Sequence, residues 1–213
     1  MDNLILCLFV CLVIPIGMSG LVLENKSRSL VLFMVFGMFM CLFAGQVNGL
    51  LQELTGIGTY ELTTSVTPVV EEILKGIPIL AFYFLVKPNR QYMLECAIMV
   101  GIGFSLIENG YILLSNAESI TFAMALFRGL GSAMLHVVTT MSLGFGISLF
   151  GIRKKTLFAG TYAILLATMV FHGIYNMLVQ SSELLYFGIA MPTVIFAAFV
   201  IYGERRKRME REE

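Results

Sequence analysis

Val69-Val70-Glu71-Glu72-Ile73-Leu74-Lys75-Gly76 places two adjacent carboxylates and a lysine inside an otherwise apolar run. A charged side chain near the centre of a bilayer costs about 2.5–3.5 kcal/mol on insertion scales. Three such groups within five residues therefore require partners or a function, and the rest of the chain can be searched for them.

The surroundings of this stretch set the class. Of 213 residues, 58% are hydrophobic and only 13% charged, which is the composition of a polytopic membrane protein, with the lipid bilayer as its solvent. The formal net charge is zero and no basic or acidic domain points to nucleic acid. Cys7, Cys11, Cys41 and Cys96 form no CxxC pair, so they read as small buried hydrophobes rather than a zinc knuckle or redox motif. The first apolar run lacks a basic leader and a small-residue cleavage site, and reads as a retained helix.

Apolar runs of spanning length fall at residues 4–23, 30–50, 63–86, 93–115, 122–150, 157–180 and 184–203, an all-α bundle of about seven transmembrane helices. Lys26 and Arg28 follow the first, Lys87 and Arg90 the third, Arg153, Lys154 and Lys155 the fifth, and Arg205, Arg206, Lys207 and Arg208 the seventh. The alternate connections carry Glu53, Glu61, Glu118 and Glu183 and no Lys or Arg. The positive-inside rule then puts the N-terminus outside and the C-terminus in the cytoplasm. The fifth run is long for one span, so its first part, around Ser119–Phe127, is expected along the membrane surface. Without repeats or linkers, residues 1–213 read as a single domain. Gly101, Gly103, Gly129, Gly131, Gly144 and Gly146 fit close helix approach, and Gly101-x-Gly103, with no strand before it, is not a phosphate loop.

The partners of the opening stretch lie on the next three helices. Glu108 and Asn109 sit on the fourth; Arg128, Ser132, His136 and Thr140 form a stripe at spacing four on the fifth; Thr168, His172, Asn176 and Gln180 do the same on the sixth. At ~1.5 Å per residue, Glu71, Glu108 and His172 lie roughly 10–14 Å from the outer ends of their helices, and His136 joins them if Arg128 marks the boundary. Glu71, which shares the face of Lys75 more nearly, is favoured over Glu72 as the base.

Two histidines with nearby glutamates suit a zinc site with an open position for water, the ligands being His136, His172 and Glu108. Equally, Glu71 or Glu72 can activate water directly while the histidines bind the oxyanion. Both routes hydrolyse an amide. Lys75 and Arg128 would hold the carboxylates, with Asn109 and Asn176 as orienting groups. The bland alternative is a structural ion pair of Glu71 and Glu72 with Lys75 or Arg128. The only aspartate is Asp2, which rules out a di-aspartyl protease, and neither GxSxG nor HExxH occurs. Ser132 and His136 share a helix face, but a serine so placed is more often an interhelical hydrogen bonder than a nucleophile.

Four ordered motifs carry a family resemblance: Glu71-Glu72-Ile73-Leu74-Lys75; Gly103-Phe104-Ser105-Leu106-Ile107-Glu108-Asn109; Phe127-Arg128 with His136; and His172-Gly173-Ile174-Tyr175-Asn176. Together they resemble the PrsW family of bacterial membrane proteases over about residues 63–180, the expected catalytic core. The related CAAX prenyl endopeptidases share the terminal HxxxN, but Glu108 stands where they place a histidine, and the basic residue follows the acidic pair by three rather than four. The resemblance implies a multi-pass protease of the bacterial cell membrane. It further implies site-1 cleavage of a membrane-anchored anti-sigma factor on the extracytoplasmic side, through Glu71, Glu72, Glu108, His136 and His172. The competing readings are a CAAX-type protease acting on another membrane peptide, and a non-enzymatic transporter or substrate-binding scaffold.

Overall fold

The computed structural model describes residues 3–150 and 154–212. Asp2 and Arg153 lie outside them, as do the side chains of Cys7, Lys154, Lys155, Arg206, Lys207 and Arg208. Seven helical rods and no strand occur among the described residues: α1 (Asn3–Val22), α2 (Asn25–Thr55), α3 (residues 59–86), α4 (Arg90–Ser115), α5 (Phe122–Phe150), α6 (Lys154–Val179) and α7 (Leu185–Glu212). The fold is an all-α membrane bundle. Five of the rods, α2 and α4 to α7, are long and apolar enough to cross a membrane; α3 carries the charges of the opening stretch.

Local chemistry sets the boundaries. Gly56 ends α2 in the left-handed region at φ 65°, its N–H bonding Gln52 O, a conformation glycine adopts without steric cost. Lys87 takes the same role after α3 at φ 50°, just before Pro88, which cannot continue a helix. Asn89 Oδ1 then accepts the Tyr92 N–H at 2.9 Å to start α4, and Thr121 Oγ1 accepts that of Met124 at 3.2 Å to start α5. Residues 122–127 are not a separate surface helix: they run through a π-turn at Arg128–Ser132 into Ala133–Phe150.

Two glycines put α4 at the centre. A Cβ on Gly103 would collide with the Met34 carbonyl of α2, and one on Gly37 with the Val100 carbonyl of α4, so these two helices touch backbone to backbone. Gly101, on the other side of α4, faces the His136 carbonyl and Thr140 of α5. The Gly-x-Gly spacing thus serves packing on two faces. Gly131, Gly144 and Gly146 also lie against neighbouring atoms, whereas Gly129 faces open space and contributes no close approach.

Buried Met38, Ala44, Leu74, Phe104 and Ile107 form one apolar cluster, and Phe33, Ile79, Met93, Val100, Leu143 and Ile147 another. Cys41 and Cys96 are buried within them, while Cys11 is exposed. The polarity is otherwise inverted relative to a water-soluble protein. Tyr186, Phe187, Val194, Val200 and Ile201 of α7 face outward, while Glu71, Glu72, Lys75, His136 and His172 are buried, as expected where the outer solvent is hydrocarbon.

Candidate active site

The site begins with Pro68, one turn above the acidic pair. A proline has no N–H to give to the preceding turn, and the chain enters α3 through a π-turn at Leu62–Val66 in which the Thr67 N–H bonds Leu62 O. The carbonyls above Pro68 look elsewhere for donors. Asn176 Nδ2 donates to Thr63 O at 2.8 Å, and Gly173, lacking a side chain, lets α6 close on Thr64 O, which a Cβ would approach to 2.8 Å. Gln180 adds a bond to Thr63 Oγ1 at 3.2 Å. His172-Gly173-x-x-Asn176 is therefore the face by which α6 docks onto the broken turn of α3, and it brings His172 level with the acidic pair.

Below the break the helix is regular and the two glutamates diverge. Glu72 Oε1 accepts Lys75 Nζ at 2.6 Å and His172 Nδ1–H at 2.8 Å. It is Glu72, at i,i+3, that takes the lysine, which corrects the expectation from helix geometry that Glu71 would share its face. Glu71 is left free: its Oε2 is buried without a hydrogen bond and faces His172 Nε2 at 3.8 Å, beyond hydrogen-bond range.

A second group comes from α4 and α5. Arg128 Nε donates to Asn109 Oδ1 at 2.8 Å and its Nη2 to Ser132 Oγ at 3.2 Å, with Glu108 Oε2 at 3.4 Å. Ser132 Oγ donates to Glu108 Oε2 at 3.0 Å, and His136 Nε2 lies 2.7 Å from the same oxygen. The serine proton goes to a carboxylate, so Ser132 and His136 do not form a nucleophile–base pair. The two groups join through Lys75 Nζ, 3.0 Å from His136 Nδ1. The His136 and His172 rings lie 5.4 Å apart, nearly perpendicular, and Phe104 packs on His136 at 4.9 Å.

Of the nine residues singled out from the sequence, seven fall in one hydrogen-bonded assembly spanning α3 to α6; Glu71 faces it across 3.8 Å at His172, and Asn176 reaches it through the backbone of α3. Thr139, 3.5 Å from Lys75 Nζ, was missed, as were the Thr63 and Thr64 carbonyls. Thr139 carries no spacing signal of its own. The carbonyls were signalled by Pro68, since a proline leaves acceptors one turn back. Ser105, Thr140 and Thr168 bond carbonyls of their own helices at 2.9, 2.8 and 2.9 Å and take no part.

Among the described residues, Glu71, His136 and His172 form a group of three potential ligands whose atoms lie within 4.8 Å of one another. This grouping holds Glu71 beside the two histidines, whereas Glu108, the carboxylate expected there from the sequence, bonds Ser132 and His136 and pairs with Arg128. Zn–O and Zn–N bonds of about 2.0–2.2 Å put two ligands of a tetrahedral ion about 3.4 Å apart. The 3.8 Å between Glu71 Oε2, which makes no hydrogen bond, and His172 Nε2 comes close to that spacing, so these residues fit a divalent cation such as zinc. His136, by contrast, has both ring nitrogens engaged.

No curated protein and no solved structure matches the chain significantly. The family model described as PrsW family intramembrane metalloprotease matches residues 25–202, a range holding every residue of the assembly. The chain therefore belongs to the PrsW family and is an intramembrane peptidase.

Proposed function

We propose that the assembly of buried Glu71, Glu72, His136 and His172 with half-buried Glu108 is the peptidase centre, and that it cuts a membrane-anchored protein in the extracytoplasmic half of the bilayer. The observation that carries this is the unpartnered Glu71 Oε2 facing His172 Nε2. A buried polar atom without a partner costs roughly 1–3 kcal/mol, and at a catalytic position such a cost is the signature of an atom reserved for substrate, water or metal.

Each residue then has a task. Glu71 and His172 would hold a divalent cation, which when bound would polarise the scissile carbonyl and acidify water. Glu72 fixes the His172 ring through Nδ1–H, leaving Nε2 unprotonated. The Glu71 carboxylate takes a proton from the attacking water. The proton that Glu71 takes up then passes to the departing amine, while the His136 Nε2–H, held toward Glu108, stays a hydrogen-bond donor at the site. Arg128 and Asn109 clamp Glu108 from the side.

The side of the membrane follows from charge. Glu72 lies roughly 22 Å, at ~1.5 Å per residue, from the basic end of α3 at Lys87, and His172 only about 10 Å from the end of α6 that precedes Glu183. With the basic ends in the cytoplasm, the centre opens outward, where PrsW-type site-1 cleavage of an anti-sigma factor would occur.

The test is cleavage of a candidate membrane-anchored anti-sigma factor by the purified protein in proteoliposomes, with the cut mapped by mass spectrometry. Cleavage by the wild type, its loss in His172→Ala, and a cut in the outer half are expected. A folded His172→Ala protein that cleaves normally would leave the assembly as a scaffold or ion path, and a cytoplasmic cut would reverse the topology.

A further inference from the structure

Lys75 has no step in the hydrolysis above, yet it is the most constrained side chain of the site. Its ammonium is fully buried, 2.6 Å from Glu72 Oε1, 3.0 Å from His136 Nδ1 and 3.5 Å from Thr139 Oγ1, and it sits 4.9 Å from the centre of the Phe104 ring. An ammonium has three donors and no acceptor. Three N–H groups meet three acceptors.

This fixes the tautomer of His136. A hydrogen on Nδ1 would set donor against donor at 3.0 Å, so Nδ1 carries the lone pair and the ring hydrogen sits on Nε2, 2.7 Å from Glu108 Oε2. His172 is the reverse, because Nδ1–H faces Glu72 Oε1 at 2.8 Å and the lone pair is on Nε2. The bond made by one ring nitrogen decides what the other can do. In His172 the Nε2 lone pair faces Glu71 at 3.8 Å; in His136 the Nδ1 lone pair is spent on Lys75.

Building on the peptidase reading, we propose that Lys75 is a positioning residue that locks His136 in the Nε2–H form and withholds it from metal, so that Glu71 and His172 alone are the protein's cation ligands. His136 is thereby kept as a hydrogen-bond donor beside the metal position. A residue within 4.8 Å of the two ligands is excluded from coordination by the spending of its lone pair, not by distance.

The chain contains only two histidines, so the proposal can be read directly. Protein labelled with 15N-histidine is reconstituted in lipid nanodiscs, the two rings are assigned from His136→Ala and His172→Ala, and zinc alone is added. The expected spectra show His136 protonated at Nε2 and His172 at Nδ1, with zinc moving the His172 Nε2 resonance and leaving His136 in place. Lys75→Met should give His136 mixed tautomers and a zinc-sensitive Nδ1; the wild-type spectra decide the matter even if that variant does not fold. His136 protonated at Nδ1, zinc shifts on both rings, or zinc shifts on neither would overturn the proposal. A cleavage assay on the same preparation separates the two readings. Cleavage with the wrong tautomer sinks the lock alone, and the expected tautomers without cleavage of any tested substrate sink the peptidase centre alone.

Discussion

Replacing Lys75 by methionine keeps most of the side-chain volume and removes the one cation in contact with Glu72. Both side chains are essentially inaccessible, at 0% and 1% relative exposure, and the pair is 2.6 Å long. Removing one partner of a buried ion pair costs about 3–5 kcal/mol, because the other charge is left uncompensated. The hydrogen bonds to His136 and Thr139 are lost as well, so about 4 kcal/mol is expected for Lys75→Met. Adding Glu72→Gln removes the stranded charge and still offers His172 Nδ1–H a carbonyl oxygen. The double variant should recover to within about 2 kcal/mol of wild type, since neutral replacement of a buried pair is often nearly free. The coupling energy would then be at least about 2 kcal/mol, readable by reversible unfolding in mixed micelles of mild and denaturing detergent. A Lys75→Met cost below about 1 kcal/mol, or a double variant as unstable as the sum of the singles, would refute the idea that this ammonium and Glu72 form one buried unit.

Other perturbations test the framework around the centre. Gly103→Val drives a side chain into the Met34 carbonyl, and backbone cannot yield as a flexible side chain would; a loss of about 1–3 kcal/mol should lower the melting temperature, while Gly129→Ala, in open space, should not. Asn176→Leu leaves the Thr63 carbonyl without its donor, costing about 1–3 kcal/mol and loosening His172, so cleavage should fall more than thermal stability does. Pro68→Ala returns an N–H to the turn above the acidic pair, and hydrogen exchange at residue 68 should show it protected in competition with the Asn176 bond. An exposed, rapidly exchanging amide there would contradict the account of the π-turn.

The helical bundle was legible because hydropathy needs no tertiary information: run lengths of about twenty residues located all seven rods. The site was legible for a related reason. Charged residues are so costly in a membrane helix that Glu71, Glu72, Lys75, Glu108 and Arg128 could not be incidental, and a spacing of four carried His136 and His172 to the same region. What the sequence withheld was the division of labour. Whether Lys75 meets Glu71 or Glu72 depends on side-chain direction after a π-turn, and i,i+3 and i,i+4 are equally open on an ideal helix. That choice leaves Glu71 Oε2 without a hydrogen bond and groups Glu71, rather than Glu108, with the ligand atoms of the two histidines. The two π-turns were equally hidden, since proline announces a break without saying how the chain repairs it.

Glu71, whose Oε2 has no hydrogen-bond partner in the folded chain, is the residue on which the proposed hydrolysis turns. Glu71→Gln removes no hydrogen bond from Oε2, so the variant should fold as stably as wild type. The measurement is its cleavage rate on a membrane-anchored substrate in proteoliposomes, beside the wild type at equal folded concentration. A loss of at least about 100-fold is expected, the lower range for removing a positioned base, with melting temperature unchanged. A folded Glu71→Gln protein cleaving within a few-fold of wild type would contradict that role for Glu71.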